Sequence, residues 1–519
     1  HGALMMAIES PRDLAQLMGT PYLVSDQQWA AITAPLAPAV VIAGAGSGKT
    51  TLMAARVVYL VATGQVAPDE VLGLTFTTKA AEALTSGVRK ALVDAGLGEP
   101  GEDEEEHVEP TVATYNAYAA SLLTEHGLRI GFEPDTRVLA DASRYQLAER
   151  VVAKHTAAVV ALSDHPPTVV KNMLALESAL SEHLVSAQMV LEHDDSWRDS
   201  FAVARAEELE GKGRVGHLKA IDHALNTMDR RAELLELIGE YRVAKQRLGL
   251  MDFSEQIERA AALVSQHREV AEAERAKFKV VLLDEYQDTS VAQAILLKRL
   301  FGQGHAVTAV GDPNQAIYGW RGASVSNIIG FADDFPHPDG VPIYPLTVSR
   351  RSAPLILAAA NHVAAPLYSA LPMVAPLDAA PEKVGGDVRV VVHQTQGEEL
   401  NDLADRVKAA HQQAGEWREI GVLTRDNRTA EAAFDVLSHA GVPVEIVGLS
   451  GLLRLPEVAQ VLALLRLVHD VTANADLLTV LSGPRWAIGP RDLALLGRRS
   501  KQLADASHTP VDGLSVDDE

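Results

Sequence analysis

Ala39-Val40-Val41-Ile42-Ala43-Gly44-Ala45-Gly46-Ser47-Gly48-Lys49-Thr50 is the stretch whose reading decides the fold. Residues 39–42 are apolar and β-branched or small, as a strand buried on both faces requires. Small residues follow, and from Lys49 to about Thr63 the apolar positions recur with helical spacing. A glycine-rich turn between a strand and a helix lets backbone N–H groups close around phosphate oxygens, and the helix N-terminus adds its positive end. Lys49 is placed to reach β- and γ-phosphates and Thr50 to hold Mg²⁺. The strict pattern has Gly where Ala43 stands, so the match is one residue short. Ala43, Gly44, Ala45, Gly46, Ser47, Gly48, Lys49 and Thr50 are the candidate nucleotide-binding residues, with ATP and Mg²⁺ as the ligands.

Outward from this stretch, Val71-Leu72-Gly73-Leu74-Thr75-Phe76 predicts a second strand, with a helix from about Lys79. Val280-Val281-Leu282-Leu283 and Val307-Thr308-Ala309-Val310 predict two more, the first ending in Asp284-Glu285 and the second in Gly311-Asp312. Strands alternating with helices argue for an α/β fold with a parallel sheet. An acidic pair after a second apolar strand suits a phosphate-loop NTPase: Asp284 would hold Mg²⁺ and Glu285 would polarise the attacking water. Adjacent residues of an extended strand face opposite ways, so both reach one nucleotide only if the strand end bends. From about Leu122 to Arg247 the apolar spacing turns helical, as in Leu174, Leu176, Leu180 and Leu184, and predicts a helical insertion broken at Gly211-Lys212-Gly213. After Asp339-Gly340 a second sheet-bearing unit is expected, with strand candidates at Val388–Val392, Ile420–Thr424 and Val444–Val447. Helices are expected again from Pro456, then a polar tail, Ser507 to Glu519.

Composition bounds the class. At about 150 residues per domain, 519 residues predict roughly three domains. The apolar share is 47% and the charged share 22%, values of a folded globular chain. No run approaches the roughly 20 apolar residues that span a bilayer, so no membrane association is expected. Cysteine is absent, which excludes disulfides and Cys-ligated metals within these residues. The net charge of −23 excludes a nucleic-acid coat but not a nucleic-acid enzyme, which depends on a local groove. Glu102, Asp103, Glu104, Glu105 and Glu106 read as a solvated acidic loop. The 18 histidines form no evident metal constellation. There is no secretory leader pattern, which favours a cytoplasmic location, and the start at His1 reads as a tag remnant or a fragment.

Four motifs, in order, carry a family resemblance. Val310-Gly311-Asp312-Pro313-Asn314-Gln315-Ala316-Ile317-Tyr318-Gly319-Trp320-Arg321-Gly322-Ala323 resembles the third motif of UvrD-like superfamily 1 helicases, and Asp284-Glu285-Tyr286-Gln287-Asp288-Thr289 the second. Thr75-Phe76-Thr77-Thr78-Lys79-Ala80-Ala81 is similar to the motif after the first strand–helix unit, and Gln28 stands at the adenine-reading glutamine. Val71–Thr77, Gly451-Leu452-Leu453 with Pro456-Glu457-Val458, and Gly483-Pro484-Arg485-Trp486 resemble the AdnB-type motor subunits of bacterial AdnAB helicase–nucleases.

The resemblance implies RecA-like motor domains with inserted helical subdomains. Motor domain 1A takes 1–121 and 248–340, insertion 1B 122–247, motor domain 2A 341–450 and the start of insertion 2B 451–519. It implies an ATP-dependent motor that moves 3′ to 5′ on single-stranded DNA and separates duplex in repair or end resection, with a possible second motor or nuclease subunit as partner. Lys49, Glu285, Gln315 and Arg351 would be catalytic, Gln315 sensing the γ-phosphate and Arg351 reaching it from the second motor domain. Phe76, Thr114, Tyr318, Trp320 and Arg321 would contact DNA, the aromatics by stacking at roughly 1–3 kcal/mol per base. Departures bear on this: Asn116 replaces a family His, Arg350 replaces an aromatic that stacks on adenine, and the family's last two motifs have no counterpart. The chain is therefore expected to be a truncated motor that hydrolyses ATP poorly, because an arginine finger typically contributes about 10³–10⁵ in turnover. Two rivals follow: a nucleotide-binding regulatory or structural subunit that does not translocate, favoured by those departures, and a small-molecule kinase, disfavoured by the run from Gln315 to Arg321.

Overall fold

A computed structural model describes residues 7–97, 109–133, 135–211, 213–319, 322–447 and 456–506. The acidic loop at 102–106, Lys212, Gly451-Leu452-Leu453 and the tail 507–519 lie outside them. The chain divides into two compact units, His1–Val388 and Arg389–Glu519.

In chain order the strands of the first unit are β1 (Ala39–Ala43), β2 (Val71–Thr75), β3 (Thr111–Thr114), β4 (Arg137–Val138), β5 (Leu250–Met251), β6 (Val280–Leu283), β7 (Ala306–Gly311), β8 (Ile343–Leu346), β9 (Val348–Ser349) and β10 (Asp378–Ala379). Six of them form one sheet in the order β3-β2-β6-β7-β1-β8, with every neighbouring pair parallel. The period-two rule divides its side chains. Val40, Ile42, Leu72, Leu74, Val281 and Leu283 enter one buried cluster with Tyr115, Leu122 and Leu263. Val41, Ala43, Val71, Val280 and Leu282 enter the other, against the helix Lys49–Ala62. Residues 341–388 belong to this unit because β8 pairs with β1, Val41 opposite Tyr344. The register sets Ile42 beside Gly311 and Leu74 beside Leu283. The ends of β1, β2, β6 and β7 therefore open on one edge, where α/β sheets bind ligands.

Arg56 fixes the segment leading into β1. It is 1% exposed and donates to the carbonyls of Ala31, Ile32, Ala34 and Pro35. Burial pulls its pKa down to about 10, which leaves it charged at neutral pH. Arg56→Met should lower unfolding free energy by roughly 3–5 kcal/mol, because buried carbonyls lose a charged donor. A denaturant midpoint equal to wild type would refute this role.

The helical stretches Asp141–Lys154, Pro166–His183, Ala187–Glu210 and Val215–Arg247 pack around Val170, Met173, Leu180, Leu237 and Tyr241. They join the sheet-bearing part through a buried charge cluster. Lys245 Nζ lies 2.9 Å from Glu177 and 2.8 Å from both Asp252 and Glu255. These three carboxylates are close enough to hold a metal ion, and the ammonium supplies the positive charge instead. The fold also gathers Glu125, His126 and Glu274. Glu274 comes from a distant helix, which sequence spacing cannot show, and it already accepts from Tyr118.

In the second unit the helices Gln396–Ala414 and Asn427–His439 pack through Ala404, Val407 and Leu437, and His411 stacks on Trp417. Helices Pro456–His469, Asn474–Ser482 and Pro490–Ala506 follow. The strands expected at 388–392, 420–424 and 444–447 are not formed among the described residues. Val390, Val392, Leu423 and Val447 stay 89%, 89%, 100% and 97% exposed. An apolar run becomes a parallel strand only where neighbours satisfy its N–H and C=O groups, and among the described residues these segments have no ladder partner.

Candidate nucleotide and nucleic-acid site

β1 ends at Ala43, and the helix begins at Lys49 with Gly48 as its N-cap. Gly46 and Gly48 have φ of 77° and 87°, which L side chains rarely adopt, so these two glycines are required. Ala43 is still in the buried strand, where no glycine is needed, which accounts for the departure from the strict pattern. Ser47 Oγ is buried without a hydrogen-bond partner, a donor left over inside the loop. Gln28 braces the turn: its Nε2 donates to Ser47 O at 3.0 Å, and its Oε1 accepts from Ser25 N in a capping box. The segment of Arg351 lies against the loop. Arg350 N donates to Gly46 O at 2.9 Å, and a Cβ on Gly46 would stand 2.5 Å from that of Arg351.

The bend required at the acidic pair is present. Glu285 adopts φ of 48°, left-handed for a residue with a side chain. Its carboxylate thereby meets Lys49, Nζ standing 2.7 and 2.6 Å from the two oxygens. The chain of contacts continues. Gln287 Nε2 donates to Glu285 Oε2 at 2.8 Å, Gln287 Oε1 accepts from Asp312 N at 3.1 Å, and Gln315 Nε2 donates to Asp312 Oδ2 at 2.7 Å. Lys49, Glu285 and Gln315 thus belong to one network, and Gln315 shares a cavity with Gly44 and Ala45. Asp284 is buried at the end of β6, and burial, then the neighbouring Glu285 charge, pushes its pKa up to about 6. Thr50 follows Lys49 with its side chain exposed. Gln287 and Asp312 were not singled out in the sequence as site residues, although both lie inside the quoted motifs.

Beyond the network lies an aromatic pair. Phe76, just past β2, and Tyr318 have ring centroids 4.8 Å apart. Trp320 and Arg321 lie outside the described residues. Thr114 ends β3 and caps the next helix, its Oγ1 accepting from Ala117 N. Asn116 donates to Phe253 O and accepts from Gln293. Arg350 lies over Tyr22, 5.8 Å from the ring centroid, so an aromatic–cationic surface stands beside Gln28. Tyr22 carried no signal in the sequence.

Residues 24–336 match the UvrD/REP helicase N-terminal domain, and residues 344–507 match the UvrD-like helicase C-terminal domain. The chain belongs to the UvrD/REP helicase family. Similar proteins include DNA helicase II of Escherichia coli (strain K12), 26% identical over 487 residues, covering 93% of this chain and 60% of that protein. ATP-dependent DNA helicase UvrD1 of Mycobacterium leprae (strain TN) is 26% identical over 509 residues, covering 94% and 58%. ATP-dependent DNA helicase PcrA of Bacillus subtilis (strain 168) is 25% identical over 481 residues, covering 92% and 56%. The chain thus spans less than two thirds of the length of these UvrD/REP relatives. No helix among the described residues is long and apolar enough to cross a membrane.

Proposed function

We propose that this chain is the ATP-driven part of a DNA helicase that moves 3′ to 5′ along single strands and opens duplex in repair or end processing. One observation carries the reading: a continuous set of contacts runs from Lys49 through Glu285, Gln287 and Asp312 to Gln315, three residues from the Phe76–Tyr318 pair. In mechanism, an incoming triphosphate takes Lys49 from Glu285. The freed carboxylate accepts the proton of the attacking water. Gln315 and Arg351, both beside the loop, meet the γ-phosphate and hold the closed form while it is present. Release of that phosphate restores the Lys49–Glu285 pair and shifts the population back. The donor set fits Mg²⁺, since the Thr50 hydroxyl and the buried Asp284 carboxylate are hard oxygen ligands, and a cation would offset the burial and the Glu285 charge that raise the Asp284 pKa. When bound, the ion would neutralise phosphate charge. The likeness of Val71–Thr77 and of Gly483–Trp486 to AdnB-type subunits supports a place beside a second motor or nuclease subunit.

Of the departures behind the non-translocating alternative, Arg350 and Asn116 lie among the described residues. Arg350 paired with Tyr22 still offers a surface on which a nucleobase stacks, so this departure does not count against nucleotide binding. ATP hydrolysis by this chain and by the whole gene product, with and without single-stranded oligonucleotide, tests the proposal. Stimulation by DNA is expected, and a rate indifferent to DNA in both would sink it. Tyr318→Ala and Phe76→Ala should each weaken single-strand binding about 5- to 100-fold, as loss of one stacked base implies, with nucleotide affinity kept. Unchanged DNA affinity would remove the aromatic pair from the strand path.

A further inference from the structure

Glu285 meets Lys49 through a left-handed backbone, and such a conformation persists only where its surroundings over-determine it. Two peptide planes flank the residue, and both are held. On the C-terminal side Glu285 O accepts from Asp288 N at 2.9 Å, closing the short turn Tyr286–Asp288. On the N-terminal side lies the peptide made of Asp284 C=O and Glu285 N–H. A peptide is planar, so holding its carbonyl and its N–H fixes the rotation that sets φ at Glu285. The N–H donates to Asp284 Oδ1 at 3.0 Å. The carbonyl accepts from the hydroxyl of Tyr115, also at 3.0 Å, inside the core.

Tyr115 is distant in sequence from the bend that it touches. It opens the helix Tyr115–His126, directly after Thr114 at the end of β3, and is 3% exposed. Its ring lies in the same buried cluster as Leu74 and Leu283. Burial first, then the acidic groups around it, push its pKa up, so the hydroxyl stays protonated and remains a donor. The sheet holds Asp284 by another bond, from its N to Leu74 O at 2.8 Å. That bond places Asp284 and leaves the following peptide free to rotate. The hydroxyl of Tyr115 removes this freedom.

We propose that Tyr115 is a positioning residue for ATP hydrolysis: its hydroxyl, through the Asp284 carbonyl, holds the bend that brings the Glu285 carboxylate to Lys49. This role rests on the reading of Glu285 as the proton acceptor and adds the group that aims it.

Tyr115→Phe keeps the ring and removes one oxygen. In the whole gene product, single-turnover hydrolysis at saturating single-stranded DNA should fall about 5- to 50-fold, as loss of a donor to a buried acceptor implies. ATP affinity, read by equilibrium titration, should hold or rise, because a carboxylate that leaves its bend restrains Lys49 less. Wild-type hydrolysis, or a parallel fall of rate and affinity, overturns the role. Adding Tyr115→Phe to Glu285→Gln should change the rate by less than about twofold, since the aimed group is already gone. A further fall of full size in that background places the action of Tyr115 elsewhere and also overturns it. If Glu285→Gln alone hydrolyses ATP like wild type, the proton-acceptor reading fails and takes this role with it. If only Tyr115→Phe is without effect, that reading stands and this role falls. Crystals of the wild-type chain with the analogue AMP-PNP need no variant to fold: Tyr115 should still donate to Asp284 O with Glu285 at positive φ, and a broken contact overturns the role.

Discussion

Lys49→Ala is expected to abolish DNA-stimulated ATP hydrolysis, with a loss of at least about 10²–10³ in turnover. The residue has two tasks in this fold. In this structure its ammonium neutralises Glu285, which sits in a left-handed conformation that costs energy for a residue with a Cβ. With nucleotide bound, the same ammonium moves to the phosphates and stabilises the charge that grows as the terminal bond breaks. Alanine removes both partners at once. Glu285 is then left near Asp284, which is already pushed up to about 6 by burial and by that same neighbour. Two effects should therefore appear together: turnover vanishes, and triphosphate affinity falls. Phosphate release at saturating single-stranded DNA and fluorescent-nucleotide titration read them separately. Wild-type turnover would end the assignment of this loop as the hydrolytic centre.

The central sheet was legible because its strands announce themselves twice, by apolar runs and by the small or acidic residues that end them. Ala39–Ala43, Val71–Thr75, Val280–Leu283 and Ala306–Gly311 form within a residue or two of the expected positions. The runs at 388–392, 420–424 and 444–447 look the same in composition and form no ladder among the described residues. The difference lies in available neighbours, a property of the whole sheet that no local run encodes. The site divides in the same way. Lys49 and Glu285 could be paired from their motifs, but only if the strand end bent, and the bend was invisible until Glu285 proved to have a positive φ. Gln287 and Asp312 are ordinary polar residues in sequence and become the bridge to Gln315 because β6 and β7 are adjacent. Tyr22 and Arg350 are separated by more than three hundred residues, and contacts of Thr347 with Gln27 and of Arg350 with Leu23 and Gly46 bring them together.

Glu285→Gln separates the two halves of the proposed cycle. Glu285 holds Lys49 through a bidentate contact that is only partly exposed, with 14% and 32% of the Lys49 and Glu285 side chains open to solvent. A triphosphate must break this pair before it can use the lysine, so part of its binding energy is consumed there. Glutamine keeps the shape and can still accept from Gln287, but it carries no charge to hold the ammonium. Nucleotide affinity should therefore rise severalfold. Turnover should fall by about 10²–10⁴, because an amide cannot take the proton of the attacking water. The same variant should grip DNA in its nucleotide-bound form without cycling, since the contacts from Gln287 through Asp312 to Gln315 do not depend on the charge at 285. Equilibrium binding and single-turnover hydrolysis on one preparation read both effects. Opposite movement of affinity and rate is the signature of a base that also restrains the phosphate-binding lysine. A parallel fall in both would mean that Glu285 only positions Lys49, and the proton acceptor would have to be sought elsewhere in the network.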